Sequence, residues 1–505
     1  MVPEATILIV DMGSQYTRVI ERKLRESGFR SAVLSPDKAA GWMTKRCAKA
    51  IIISGGDKSV YDADAPQVPA VILEAGVPIF GICYGMQWLA HHFGGTVEHH
   101  ADQSGFGPTK VRIGENDLFN DLETYEIVWA SHGDSVITLP LGGYVIATDE
   151  AGNGIKAMAL PHQKVWGVQF HPEVADTACG GKILLNFVAD ICGCEKDWSP
   201  ANLVTEIRTS CTDPSMRVIA GFSGGVDSTT AVTIISPVLG DRLRCIIIDA
   251  GHLRAGEIEE AQLHAQAAGV ELHIIEAETR FFRALRGIKN SERKRKIFGK
   301  LYHGIFLEEV AKFDATHVVQ GTLATDLIES GATGGAVIKS HHNVGHDWGD
   351  LGHLEPLKAL FKYEVRALAK ELGLPDSVAQ REPFPGPGLF LRMPGAVTKK
   401  RRDVIRWADT VVRDIVRKHP DTPEISQLVI YLNGIKIVGV KGDGRVYAEM
   451  VTVRPVTTID FMTASSPIFS PDLMTEIMRE VSRHSELVGV LFDFNPKPPR
   501  TTEAE

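Results

Sequence analysis

Short runs of aliphatic residues recur along the chain and alternate with stretches of helical periodicity. They occupy 5–10, 50–56 and 77–85 in the first part of the chain, and 216–222, 244–251, 271–277 and 316–322 in the second. Most are rich in β-branched residues and lead into glycine or aspartate, which is typical of a buried strand that ends in a loop. Strands that alternate with helices predict parallel sheets with helices on both faces. We therefore predict an α/β fold with two such sheets.

Two breaks in this pattern divide the chain. Its 505 residues exceed what one hydrophobic core supports. The polar stretch around Pro200 and the proline-rich segment REPFPGPGL at 381–389 interrupt both helix and strand. The breaks predict α/β domains over 1–197 and 198–384 and a small α+β domain over 385–505. A small domain joined in this way often docks against a second copy of itself, so we expect a dimer.

Composition restricts the classes of function. The chain is 44% hydrophobic and 23% charged, as a globular protein is, and its net charge of −9 argues against a nucleic-acid partner. No apolar run reaches the length of a membrane span, and the start MVPEATILIV lacks the basic segment of a signal peptide. The seven cysteines are few and unevenly spaced. We therefore expect a cytoplasmic protein with no membrane partner.

A cysteine follows the aliphatic run at 77–85. In FGICYGMQWLA, Cys83 lies between Gly81 and Gly85. Glycines allow the sharp strand-to-helix turn that exposes a nucleophile, and a thiol at a helix N-terminus is activated by the helix dipole. A small buried core cysteine is the equally weighted alternative for this motif alone.

A histidine and a glutamate two residues apart favour the nucleophile. GVQFHPEV carries His171 at a strand end and Glu173 on the same side of the extended chain. A catalytic cysteine needs a base, and the base needs a carboxylate to orient it. Gly-x-Cys-x-Gly-x-Gln followed by His-Pro-Glu resembles the class I glutamine amidotransferases, which release ammonia from glutamine through a thioester.

That resemblance implies a role for each matching residue. Cys83 is the nucleophile, His171 the general base and acid, and Glu173 the residue that orients the histidine. The oxyanion hole is assigned to the backbone N–H groups of Gly56 and Tyr84, and glutamine binding to Gln87, Ser131 and His132. The chain departs from the family at Asp57, where proline is usual. This acid either weakens the oxyanion hole or points to solvent.

The stretch AGFSGGVDSTTA at 220–231 predicts a phosphate-binding loop between a strand and a helix. It lacks the lysine of the common P-loop and contains Asp227 instead. An aspartate is compatible with phosphate if it holds Mg²⁺, and this arrangement suits cleavage of ATP between the α and β phosphates. A lysine supplied from elsewhere in the chain would complete the site. A flexible surface loop is the less favoured alternative.

SGGVDS resembles the N-type ATP pyrophosphatases, which adenylate a carbonyl oxygen before a nucleophile displaces AMP. The residues this resemblance assigns to ATP are Ser223, Gly224, Gly225, Val226, Asp227, Ser228 and Asp249, with Asp227 as the metal ligand. Asp249 lies at the end of the second strand, CIIIDAGHLR. There the chain has Ala250 where asparagine is usual and His252 where an apolar residue is usual. Both changes fall near the expected ribose contacts.

Many further stretches match in order, among them DMGSQYT, QGTLATDLIES, VIKSHHNVG, PFPGPGL, VGVKGDGR and TIDFMTA. Together they resemble the glutamine-hydrolysing GMP synthases over nearly the full chain. The resemblance implies that ATP and Mg²⁺ activate xanthosine 5′-monophosphate (XMP), that ammonia from glutamine displaces AMP, and that the enzyme is a homodimer. It assigns to the acceptor nucleotide or to a lid over the phosphates Arg293, Lys294, Lys296, Gln320, Asp326, Glu329, Lys339, Pro385, Gly386, Lys497, Thr502 and Glu503.

The end of the chain departs from that family. Thr502 and Ala504 stand where isoleucine and tryptophan are usual, and LNGIKI precedes VGVKGDGR. These changes keep one alternative open, a related ligase that acts on another purine-like acceptor. A degenerate regulator is a second alternative. A tRNA thiolase or an NAD synthetase is a third, which the acidic composition and the His-Pro-Glu motif disfavour.

Overall fold

The computed structural model describes residues 5–99, 105–323, 348–349, 351–358, 360–379, 381–382, 384–458, 464–497 and 499–503. These residues form two compact units, the first up to Glu206 and the second from Ile207 onward. Among them, no helix has the length and apolarity needed to cross a membrane.

The first unit contains a nine-stranded sheet in the order β2-β1-β3-β4-β11-β10-β9-β6-β7 and a separate β5-β8 pair. Its strands are β1 (Ile7–Val10), β2 (Ser31–Leu34), β3 (Ala50–Ile53), β4 (Ile79–Ile82), β5 (Thr96–His99), β6 (Gly105–Ile113), β7 (Tyr125–His132), β8 (Asp134–Thr138), β9 (Tyr144–Asp149), β10 (Ile155–Leu160) and β11 (Val165–Val168). Its helices are α1 (Thr17–Glu26), α2 (Pro36–Met43), α3 (Ala70–Leu73), α4 (Tyr84–His92), α5 (Gly180–Leu185) and α6 (Pro200–Ser210), the last of which continues past Glu206.

The five strands from β2 to β11 pair in parallel, whereas the pairs from β11 to β7 are antiparallel. Every residue of β1, β3 and β4 is buried, because two hydrophobic clusters cover the two faces of the sheet. Parallel strands buried on both faces read as continuous aliphatic runs, as these do. The carboxyl ends of β4 and β11 are neighbours, so they bring two of the predicted catalytic segments together.

The second unit contains a five-stranded parallel sheet, β14-β13-β12-β15-β16, and a three-stranded sheet, β17-β18-β19. Its strands are β12 (Val218–Gly221), β13 (Leu243–Asp249), β14 (Leu272–Glu276), β15 (His317–Val319), β16 (Gly352–Leu354), β17 (Gln427–Lys441), β18 (Gly444–Val456) and β19 (Leu487–Phe492). Its helices are α7 (Val226–Leu239), α8 (Glu257–Ala267), α9 (Glu278–Ala284), α10 (Ser291–Phe313), α11 (Lys362–Glu371), α12 (Asp376–Ala379), α13 (Lys399–Lys418) and α14 (Pro471–Val481).

One hydrophobic cluster runs through both sheets of the second unit. It joins Ile219 and Ile246 of the parallel sheet and Phe306 of α10 to Ile405 of α13 and Val451 of β18. The α/β fold class is confirmed, with two large sheets rich in parallel strands. The domain boundary at 384 stays a prediction, since the segments on its two sides share this core.

Candidate active sites

Cys83 lies in a strained turn between β4 and α4. Its φ is +51° and its ψ is −108°, a conformation that costs a non-glycine residue free energy and recurs at functional sites. The turn is tight enough that a Cβ on Gly81 would lie 2.6 Å from the backbone of Gly85 and Met86. Glycine is therefore required where the strand end meets the helix start. Cys83 itself is 5% exposed.

His171 follows β11 and contacts both other members of the predicted triad. Its Nδ1 lies 2.8 Å from Oε1 of Glu173, and its backbone N–H donates to the carbonyl of Trp129. Burial alone would lower the pKa of His171, but hydrogen bonds to Cys83 and Glu173, and the charges of both, outweigh burial and raise this pKa to about 10. Glu173 is fully buried. The three side chains thus form one connected chain of proton donors and acceptors.

Two further residues hold the histidine in place: Thr177, which no sequence motif indicated, and Tyr16, which lies in the matching stretch DMGSQYT but had no assigned role. The Thr177 hydroxyl donates to the backbone carbonyl of His171 at 2.7 Å and accepts from the backbone N–H of Trp129 at 2.9 Å. The ring of Tyr16 meets the imidazole edge-on, with centroids 5.1 Å apart. Thr177 therefore fixes the backbone of His171, and Tyr16 packs against its imidazole.

The predicted oxyanion-hole residues lie on either side of the turn. Tyr84 is the first residue of α4, where a backbone N–H has no acceptor within the helix. A Cβ on Gly56 would lie 2.8 Å from the carbonyl of Met12 and 3.2 Å from the ring of Tyr84, so the loop after β3 approaches the helix start closely. Asp57 is exposed, which agrees with the alternative that its side chain points to solvent.

The residues predicted to bind glutamine converge on one carbonyl. The Gln87 side-chain amide donates to the backbone oxygen of Asp134 at 2.8 Å, and Nδ1 of His132 lies 3.0 Å from the same oxygen. Burial, together with the charge of Lys156, lowers the pKa of His132 to about 4, so this imidazole is neutral. Ser131 faces the cysteine through its backbone carbonyl, 3.7 Å from Sγ. Glutamine binding by these residues stays a prediction.

In the second unit, the SGGVDS loop joins β12 to α7. Gly224 has a φ of +72°, and Gly225 is the N-cap of the 14-residue helix. The Ser223 hydroxyl lies 3.1 Å from the Ser228 hydroxyl and accepts from the backbone N–H of Gly225 at 3.2 Å. Two hydroxyls and the N-terminus of a long helix therefore lie together, which is the donor set that phosphate oxygens require.

A lysine from α11 pairs with the aspartate of this loop. Nζ of Lys362 lies 2.7 and 2.6 Å from the two carboxylate oxygens of Asp227. Sequence reasoning expected a lysine from elsewhere but did not find this one. Lys362 lies in the stretch EPLKALFKYEVR, which matches the family but carried no assigned role, and it is the first residue of a helix, where a positive charge opposes the helix dipole.

Asp227 also fits a metal ligand. Mg²⁺ is commonly held by one or two carboxylates together with substrate phosphates, and Asp227 brings one carboxylate to the N-terminus of α7. Within the described ranges, no group of three or more His, Cys, Asp and Glu residues forms a complete cage. The donor set therefore suits a metal that arrives with phosphate.

A residue of α13 holds the loop that follows β13 in place. Asp249 accepts from the backbone N–H of Gly251 at 2.8 Å, and Arg402 donates to the Gly251 carbonyl at 3.1 Å. His252 is buried between Phe298 and Phe390, with ring centroids at 5.1 and 6.1 Å. Burial lowers its pKa to about 4. His252 therefore behaves as a core residue, as the apolar residue usual in the family would.

The basic run on α10 differs from the sequence prediction at one residue. Lys294 is 0% exposed, and its Nζ donates to the backbone carbonyl of Met393 at 2.7 Å. Burial, followed by the charge of Arg401, lowers the pKa of Lys294 to about 8. The lid assignment of Lys294 is therefore wrong in this conformation, because its ammonium is held by the core. Arg293 and Lys296 are exposed, and their lid role stays a prediction.

The residues predicted for the acceptor fall in several places. Glu503 pairs with the buried Arg392 at 3.2 Å, and the carbonyl of Pro385, which precedes Gly386, accepts from Gly388 at 2.8 Å. Among the other described members, the backbone N–H of Gln320 donates to the carbonyl of Leu354, that of Lys497 donates to the carbonyl of Ala464, and Thr502 is half-buried. Val226, which was assigned to ATP, is the first residue of α7. Asp326, Glu329 and Lys339 lie outside the described residues.

Comparison with known proteins agrees with both halves of this arrangement. Residues 8–191 match the family model described as glutamine amidotransferase class-I, and residues 412–504 match the GMP synthase C terminal domain. The chain is 40% identical to the "GMP synthase [glutamine-hydrolyzing]" of Bacillus subtilis (strain 168) over 510 residues, which cover 99% of this chain and 98% of that protein. The protein of the same name from Thermotoga sp. (strain RQ2) is 40% identical over 507 residues, covering 99% of this chain and 100% of the relative.

The fold and the first site thus define a chain with a class I glutamine amidotransferase domain. The match to its relatives extends through both units and covers nearly their whole length. This chain belongs to the family of glutamine-hydrolysing GMP synthases.

Proposed function

We propose that this chain synthesises GMP from XMP with glutamine as the nitrogen donor. ATP adenylates O2 of XMP and releases pyrophosphate, ammonia attacks C2, and AMP leaves. The observation that carries this proposal is the full-length likeness to curated GMP synthases, at 40% identity over 99% of the chain. A different purine-like acceptor is not favoured, because the full-length likeness outweighs the altered C-terminal tail and the LNGIKI stretch that suggested it.

The first unit supplies the ammonia. Cys83 attacks the side-chain amide carbon of glutamine while His171 takes the thiol proton and passes it to the departing ammonia. A thioester forms as the C–N bond breaks, and water then releases glutamate. Glu173 holds the imidazole at 2.8 Å, and the backbone N–H groups of Gly56 and Tyr84 stabilise the oxyanion.

The second unit activates XMP. The backbone of the SGGVDS loop and the hydroxyls of Ser223 and Ser228 hold the β and γ phosphates of ATP, which remain as the leaving pyrophosphate. Asp227 would hold Mg²⁺, which neutralises phosphate charge when bound. Lys362 lies 2.6 Å from that carboxylate and adds a positive charge at the same place. Asp249, at the end of β13, contacts the adenosine of ATP.

The acceptor nucleotide is bound by the segments that hold Pro385 and Gly386 on one side and Lys497, Thr502 and Glu503 on the other. The described members of the lid are Arg293 and Lys296, which lie on the exposed face of α10. Both acceptor segments lie within the second unit, the unit that also contains the SGGVDS loop.

We further propose that the protein is a cytoplasmic homodimer. The ribbon formed by β17 and β18 carries Val438, Val440 and Tyr447 on one face, exposed by 50, 75 and 66%. A contiguous apolar patch of this kind is typical of a protein–protein interface. A second copy is the expected partner, because the two-stranded ribbon can pair with itself through a two-fold axis.

The function is tested by an end-point assay with the purified chain. ATP, Mg²⁺, ammonium and XMP are supplied, and AMP, pyrophosphate and GMP are resolved by chromatography. Equal amounts of AMP, pyrophosphate and GMP are expected. Cleavage of ATP that needs another purine nucleotide and yields no GMP from XMP would overturn the proposal and point to a different acceptor.

A further inference from the structure

Phe384 packs against two arginine side chains in the second unit. The guanidinium carbon of Arg254 is 4.1 Å from the centroid of the Phe384 ring, and that of Arg392 is 4.9 Å from the same centroid. Both distances are within the range of a cation–π interaction. Phe384 directly precedes Pro385 and Gly386, so the pair of arginines fixes the start of the loop that we assign to the acceptor.

Arg392 also holds the C-terminal tail. Its Nε and Nη2 lie 3.3 and 3.2 Å from the two carboxylate oxygens of Glu503, and its Nη1 lies 3.4 Å from Asp409. The Arg392 side chain is 0% exposed, and that of Glu503 is 16% exposed. The side-chain amide of Gln427 donates to Glu503 at 3.3 Å as well.

The same charge network reaches the loop after β13. Arg254 ends that loop, and its Nε lies 3.4 Å from Asp409. Asp409 also pairs with Arg413 at 2.8 Å, and Arg413 pairs with Glu382 at 2.8 Å. Asp409 and Glu382 thus balance part of the positive charge, and Glu503 is the one carboxylate of the network that comes from the tail.

A buried guanidinium that loses a carboxylate partner is strongly destabilised. If the tail moved away from Arg392, that arginine would keep only part of Asp409, which it shares with Arg254 and Arg413. By contrast, Arg254 would still have Glu257, and Arg413 would still have Glu382. The tail is therefore held in place by the cost of leaving Arg392 underpaired. Lysine could not substitute, because it lacks the planar fork that makes two hydrogen bonds to one carboxylate.

We propose that Arg392 is a positioning residue for the acceptor nucleotide. It fixes Glu503 and the Phe384–Gly386 segment relative to each other, so that both sides of the acceptor site are formed before the nucleotide binds. This inference rests on the proposed function, because that proposal assigns both segments to the acceptor.

The test compares Arg392→Lys and Glu503→Gln with wild type in the full chain. KM for XMP and KM for ATP are measured with saturating ammonium, and the shift in melting temperature caused by XMP is measured separately. We expect KM for XMP to rise about tenfold or more in both variants. KM for ATP should stay within about twofold, and the XMP-dependent shift should be lost.

Arg401→Lys is the matched control. Arg401 makes a two-pronged ion pair with Glu449, at 2.7 and 2.8 Å, on the same helix as Asp409 but without contact to the tail. It should lower the melting temperature and leave KM for XMP unchanged. The inference is overturned if all three variants lose stability alike while KM for XMP keeps its wild-type value.

Failure of Arg392→Lys to fold and failure of the proposed function can each be distinguished from failure of this inference. Should Arg392→Lys fail to fold, Glu503→Gln still tests the inference, because Glu503 is at the surface end of the pair. The double variant should raise KM for XMP no more than the stronger single variant, since the two residues act through one contact. Wild type that makes no GMP from XMP would contradict the proposed function instead, whatever the variants do.

Discussion

Lys362 and Asp227 form an ion pair although 135 residues separate them in the sequence. Both oxygens of the carboxylate lie within 2.7 Å of the ammonium nitrogen. The pair places one positive and one negative charge at the N-terminus of α7, where phosphate and its metal ion are expected. The SGGVDS loop therefore has a lysine after all, supplied by α11.

Lys362→Met should abolish GMP synthesis with either glutamine or ammonium as nitrogen donor. Both routes need activated XMP, and the loss of one phosphate-facing charge should lower kcat/KM for ATP about 100-fold. The measurement is pyrophosphate release against ATP concentration. Lys358→Met is the control, since among the described residues Lys358 pairs with the nearby Glu355 and with no group of the SGGVDS loop, and it is half-exposed. Near-normal pyrophosphate release by Lys362→Met would contradict the assignment of this loop to ATP.

Cys83→Ala should abolish GMP formation from glutamine and leave formation from ammonium unchanged. The thiol is the nucleophile of the first unit only, and the SGGVDS site of the second unit does not need it. The measurement is GMP formed with each nitrogen donor. Cys47→Ala, which changes an exposed cysteine, should leave both reactions intact. Loss of both reactions in Cys83→Ala would sink the two-site interpretation.

Gly81→Ala should disrupt the turn that holds Cys83. The new Cβ would lie 2.6 Å from backbone atoms of Gly85 and Met86, which cannot move without shifting α4. We expect at least about a 100-fold loss of glutaminase activity, because a displacement near 1 Å can cost that much. Glutamate release is the readout. Gly41→Ala is the control, since its Cβ would meet nothing within 4 Å.

His252→Leu should make the free energy of unfolding less sensitive to acid. The pKa of His252 is about 4 in the folded chain, against 6.5 as the ordinary value. Between those values the unfolded chain binds a proton that the folded chain does not, so stability falls as pH drops from 6.5 toward 4. Between pH 7.5 and pH 5, protonation of this histidine in the unfolded chain should lower the free energy of unfolding of the wild type by about 1 to 2 kcal/mol. Urea unfolding at both pH values measures this free energy. If wild type and His252→Leu lost the same free energy of unfolding between the two pH values, the lowered pKa of His252 would be refuted.

Val440→Lys should shift the protein from dimer to monomer. The substitution puts a charge on the most exposed apolar residue of the β17–β18 face, which must lose water when two copies associate. Sedimentation velocity over a range of concentrations gives the association state. Leu263→Lys is the control, because Leu263 is 65% exposed on α8, away from the ribbon. A wild-type chain that sediments as a monomer at every concentration would contradict the dimer.

Local chemistry made the Cys83 turn and the pairing of His171 with Glu173 predictable. A glycine-flanked nucleophile and an i, i+2 spacing on an extended chain both fix geometry within a few residues. The strands were predictable for a similar reason, since a fully buried parallel strand has to be a continuous apolar run.

Contacts between distant segments were not predictable in this way. Lys362 looked like any helical lysine, and the basic run on α10 gave no sign that Lys294 would be buried against Met393, about a hundred residues later. A charged residue on a helix is expected to be exposed to solvent, but this expectation fails where another segment of the chain packs over it. The hydrophobic core that is shared by the segments before and after residue 384 could not be predicted for the same reason. The periodicity of a sequence indicates which face of a helix is apolar, but not which segment packs against that face.

That shared core has a consequence for how the protein is made. The described residues of the first unit have all left the ribosome once residue 206 has emerged, so this part of the chain can fold while synthesis continues. The core of the second unit cannot be completed at that stage, because Ile219 and Ile246 belong to a hydrophobic cluster that includes residues as late as Leu487. For most of the translation of its second half, the nascent chain therefore carries a finished amidotransferase domain ahead of an open aliphatic surface. Any truncation in the last helix or strand should leave that surface exposed and send the chain to chaperones or proteases.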